Sequence, residues 1–93
     1  MTLPKELVDL IKKDIESAIS NIKEINLAKL SDNADDTNTF IVYIHGLKSA
    51  LNNLGEEMLS TVALNLEIDA LNKNFENIPQ RTEELFLKIN SLF

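Results

Sequence analysis

The sequence predicts an all-α protein, an antiparallel up-down four-helix bundle in which residues 1–93 form a single domain. Composition is the first reason: long runs of Leu, Ile, Glu, Lys, Ala and Asn, with 5% aromatics, two glycines and two prolines. Sheets draw instead on β-branched and aromatic residues and need turn glycines. The second reason is spacing, because apolar residues recur in alternating steps of four and three, which hold one helix face toward a core. The third is the brevity of the polar breaks, since short connections set neighbouring helices antiparallel. Ninety-three residues supply one core and not two.

The first helix is expected over about residues 4 to 30. Thr2 offers a capping hydroxyl, Pro4 suits a first turn, and Leu7, Ile11, Ile15, Ala18, Ile22 and Ile25 make the inward stripe. Ser31 to Asp36 is a polar break that ends in a capping Asp. A second helix follows with Phe40, Ile44, Leu47, Leu51 and Leu54 inward, and Gly55 stops it. Glu56 and Glu57 open a third helix at the positive end of its dipole. Its buried side is Leu59, Val62, Ala63, Leu66 and Ala70. A second stripe, Leu64, Ile68 and Leu71, is either buried too or a docking face. After a break at Asn72 to Asn77, Ile78-Pro79 starts a fourth helix with Thr82, Leu85, Phe86, Ile89, Leu92 and Phe93 inward.

Several function classes are disfavoured. Without cysteine there is no disulfide framework and no thiolate metal site. A net charge of −6 argues against nucleic acid and against anionic lipid surfaces. No apolar run approaches the ~20 residues that span a bilayer, and no basic segment leads into an apolar run at the N-terminus. A cytoplasmic monomer without membrane insertion is the expectation. A single histidine builds no multi-histidine metal site, and no glycine-rich phosphate loop is present. Asp32, Asp35 and Asp36 loosely resemble a calcium loop but lack its glycine and terminal glutamate, so a capping turn is the better reading. Neither a metal nor a cofactor is expected on this chain.

His45 remains. At about 100° per residue it sits roughly 140° from the centre of the second helix's buried stripe, so its imidazole should be exposed. Ile41, His45, Lys48 and Asn52 share one face. Lys48 can lay its stem along apolar surface and raise its ammonium toward the ring. An ammonium there is poorly suited to holding a proton on imidazole and well suited to meeting a dianionic group attached to it. Val42, Gly46, Ser49 and Asn53 flank the other side, all modest in size. A mid-helix glycine costs about 0.5–1 kcal/mol relative to alanine. Gly46 is therefore either neutral drift or part of a flat surface that admits another protein.

The stretch from Phe40 to Gly55, with His45-x-x-Lys48, a small Ser49 and the Leu54-Gly55 ending, resembles the signature of histidine-containing phosphotransfer (HPt) domains. The Leu59–Glu67 segment is similar to the second conserved block of that family. The resemblance covers about thirty residues in motif and the whole chain in architecture; many members have glycine where this chain has Ser49. It implies that His45 accepts a phosphoryl group from, or returns it to, the aspartate of a response-regulator receiver domain, with Lys48 stabilising the phosphate. The receiver would bring Mg²⁺, and a sensor histidine kinase is the other partner implied. Ile41, Val42, Gly46, Ser49, Asn52 and Asn53 would lie under the partner. In chemotaxis-kinase members a glutamate at the offset of Glu67 bonds the imidazole, so Glu67 is a candidate for orienting His45; a solvated surface glutamate is the alternative. Two other functions stay open. The chain could be the kinase-phosphorylated N-terminal domain of a chemotaxis-type kinase, or a non-catalytic helical adaptor that binds through Leu64, Ile68 and Leu71.

Overall fold

In the computed structural model, which describes residues 2–93, the apolar runs fold as α1 (Lys5–Lys23), α2 (Ala34–Asn53), α3 (Glu57–Leu71) and α4 (Ile78–Asn90). A 3-10 segment, Leu27–Asp32, joins α1 to α2, and no strand forms among the described residues. The protein is all-helical. α2 packs against both α1 and α3, α3 against α4, and the 3-10 segment against α2 and α4. The core is Ile11, Ile15, Ala18 and Ile22 of α1, Phe40, Ile44, Leu47 and Leu51 of α2, Ala63, Leu66 and Ala70 of α3, and Ile78, Leu85, Phe86 and Ile89 of α4. Each large apolar side chain buried there is worth about 1.5–3 kcal/mol. No helix among the described residues is long and apolar enough to cross a membrane.

The stop at Gly55 has full structural form. Gly55 takes φ +87°, its N–H bonds the Asn52 carbonyl, and Glu56 N–H reaches back to Leu51 at 2.9 Å. This is the paired arrangement that closes helices through a left-handed residue.

The ends of the elements depart from expectation in four places. α1 stops at Lys23, and the chain turns through the 3-10 segment, from which Leu30 still reaches the core. α1 also starts without a side-chain cap, so Thr2 does not cap it, and Leu7 is 42% exposed. α2 is capped by Asn33 rather than by an aspartate, its side-chain oxygen accepting the Asp36 N–H at 3.0 Å. Leu92 and Phe93 lie beyond the end of α4 and are exposed; the Lys12 ammonium sits 5.0 Å from the Phe93 ring centre. A further detail is invisible to apolar spacing. The buried Thr82 hydroxyl has no hydrogen-bond partner.

Candidate functional site

The site begins with the two faces of α2. Phe40, Ile44, Leu47 and Leu51 are fully buried on one, and His45 stands on the other with its side chain 57% exposed. Burial of that stripe fixes the rotation of α2, and the rotation directs the imidazole outward.

α3 brings the second component. Ser60, Ala63 and Ala70 are its small buried residues, three and seven positions apart, which lets α3 lie close to its neighbours. The Ser60 hydroxyl donates to the Lys48 carbonyl at 3.0 Å and ties α3 to α2 beside the site. Glu67 is thereby brought within reach of His45. Its Oε2 lies 2.8 Å from His45 Nδ1, and its Oε1 lies 3.3 Å from Lys48 Nζ. Lys48 Nζ is also 3.3 Å from His45 Nδ1.

This triangle has one consistent hydrogen-bond assignment. A carboxylate only accepts and an ammonium only donates. The shorter contact assigns Nδ1–H as donor to Oε2, which leaves Lys48 to donate to Oε1. On a neutral ring with Nδ1–H so engaged, Nε2 is the nitrogen that carries the lone pair. The Glu67 side chain is only 12% exposed and Lys48 24%, so the two supporting groups are held while the imidazole is open. Glu67 sits against the ring rather than free in solvent.

The remaining candidates divide by register into two flanks. Ile41 and Lys48 lie toward α3, and Ile41 is half-buried. Val42, Gly46, Ser49 and Asn53 lie on the flank toward α1, all exposed, Val42 at 66%. Asn52 is exposed one turn beyond Lys48, in a shallow groove with Ser49 and Ser60. A Cβ added at Gly46 would meet nothing within 4 Å. Internal packing therefore gives no reason for glycine here. Gly46→Ala is expected to raise stability by about 0.5–1 kcal/mol, measurable as a higher midpoint in urea or heat.

Leu64, Ile68 and Leu71 are exposed at 37%, 42% and 59%, so α3 does not bury its second stripe. Asp32 and Asp35 are exposed around the capped start of α2, with Asp36 half-buried there. Among the described residues no three carboxylate or imidazole groups converge as a metal site. Two contributors escaped the sequence reading. Ser60 anchors the Lys48 carbonyl, and Asp69 of α3 pairs with Arg81 of α4. The row Ser60, Ala63 and Ala70 carried a signal for the first, because small residues at helical spacing mark a close helix contact. No protein-family model, curated protein or solved structure matches this chain.

Proposed function

We propose that this chain is a histidine phosphotransfer module of the HPt type, with His45 Nε2 as the phosphoryl acceptor. The observation that carries the reading is the His45–Glu67–Lys48 triangle: an exposed imidazole whose Nδ1 is held by a carboxylate at 2.8 Å, with an ammonium alongside. In the step proposed, the Nε2 lone pair attacks the phosphorus of an aspartyl phosphate on a receiver domain. The P–O bond to the aspartate breaks, and its electron pair leaves with the carboxylate. No proton needs to move, because Nδ1 keeps its hydrogen on Glu67, whose charge offsets the positive charge that develops on the ring. Lys48 then meets the transferred phosphoryl oxygens. The receiver would supply Mg²⁺ and much of the charge stabilisation, and this chain a positioned nucleophile.

The finer architecture belongs to the same reading: an antiparallel up-down four-helix bundle. In support, His45 meets Glu67 while Lys48, further along α2, meets Ser60, earlier in α3. Dimensions of 43 × 21 × 19 Å fit helices lying side by side. A cytoplasmic monomer working between a sensor kinase and a receiver accords with it. The Glu67 contact equally suits a domain phosphorylated directly by a chemotaxis-type kinase. The exposed Leu64–Ile68–Leu71 stripe is the one observation that favours an adaptor.

The deciding experiment is incubation of the protein with a phosphorylated receiver domain. Acid-labile, base-stable phosphate on this chain is the expected result, and its absence with every receiver and kinase of the same genome would refute the proposal. Lys48→Ala should slow transfer roughly ten- to a hundredfold, as befits a charged contact worth about 1–3 kcal/mol. Glu67→Ala should release the ring to both tautomers. Nitrogen NMR of His45 would report this as a fall in the Nδ1–H form, together with about tenfold slower transfer. An unchanged tautomer would return Glu67 to the status of a surface glutamate.

A further inference from the structure

On the flank of His45 away from Glu67, α1 and α2 leave an open groove. Asp14, Ser17 and Ala18 of α1 form one wall, and Val42, Gly46 and Ser49 of α2 form much of the other. We infer that this groove receives a lysine or arginine side chain of the phosphodonor protein, its stem along Val42 and Ala18 and its charge beside Asp14. The inference rests on the phosphotransfer reading and names the partner chemistry that reading leaves open.

Three features converge there. Nδ1 is engaged by Glu67 on the α3 side, and the groove wall begins at Gly46, the residue next to His45, so a donor that covers the open flank of the imidazole also covers this groove. Gly46 borders it without any packing reason to be glycine, since a Cβ would meet nothing within 4 Å. The missing side chain keeps the entrance low. Asp14 is the only charged residue in the lining, is exposed, and has no ion pair among the described residues. A neutral, partly apolar trough with one carboxylate at its edge is complementary to a long aliphatic stem that ends in a cation. An acidic side chain would be repelled by Asp14 and by the net charge of −6.

The test compares two donors on the full chain. One is the receiver domain that transfers fastest among those of the same genome, phosphorylated with acetyl phosphate; the other is phosphoramidate. Asp14→Lys should slow transfer from the receiver about tenfold or more at low salt, while labelling by phosphoramidate stays at the wild-type rate. Asp14→Asn should have a smaller effect and flatten the salt dependence. Single Lys→Glu and Arg→Glu changes around the receiver's phosphorylated aspartate should include one that restores exchange with Asp14→Lys. Wild-type receiver kinetics in Asp14→Lys, or no restoring partner, would overturn the groove assignment and leave the phosphotransfer reading standing. A parallel loss with phosphoramidate would also overturn it, by tracing the effect to the imidazole. A wild-type protein that takes phosphate from neither donor would remove the phosphotransfer reading itself.

Discussion

His45→Ala should fold and melt like the wild-type protein, yet accept no phosphoryl group from any donor. The side chain is 57% exposed and Glu67 keeps Lys48 as a partner, so truncation there should change stability by no more than about 1 kcal/mol. The chemical loss should be complete, because the chain has no other histidine. Thermal melts followed by circular dichroism, beside labelling with a phosphorylated receiver, test both halves. Acid-labile phosphate on the variant would move the acceptor to another residue type. An intact signalling output with no labelling would favour the adaptor and its α3 stripe.

Phe40→Ala should do the reverse. Phe40 lies on the same helix, fully buried against the core, and truncating a buried phenylalanine costs about 3–5 kcal/mol. A single domain has only about 5–15 kcal/mol in total, so much of its margin would go. Urea unfolding should show the midpoint falling with little change in slope. In conditions where the variant remains folded, His45 should still be labelled, because Phe40 lies on the buried face of α2 and His45 on the exposed one. A stability loss under about 1 kcal/mol would mean that α2 does not carry the core as described.

The contrast between these two residues shows what was legible in advance. Both follow from the period of one helix: a buried stripe leaves the opposite side exposed, and that arithmetic placed His45 without reference to neighbours. The end of α1 was not legible. Leu27 and Leu30 are three apart, and a 3-10 turn keeps that spacing on one side as an α-helix does, so apolar periodicity runs on past Lys23. Leu92 and Phe93 misled for a related reason, since period alone does not say where a helix stops. The end of α3 was legible without a glycine, because the polar run from Asn72 to Asn77 marks it and the helix ends at Leu71. Lys73 adopts φ +61° there, and Asn74 N–H bonds the Asp69 carbonyl. Glu67 was visible only as a position in a resemblance. Its contact with His45 depends on how closely α3 approaches α2, and small residues such as Ser60 control that distance through a pairing that no single helix encodes.

The seam between α2 and α3 makes the setting of His45 depend on tertiary structure. His45 and Lys48 come from one helix and Glu67 from the next, so the ring is presented in one defined state only when the two are docked. A peptide spanning α2 alone, or a chain with that seam open, would carry the same histidine without its orienting carboxylate. Under the phosphotransfer reading, a damaged or half-folded molecule then makes a poor acceptor, and little signal leaks into chains unable to pass it on. On that reading, the competence to receive phosphate would report tertiary structure through a single 2.8 Å contact.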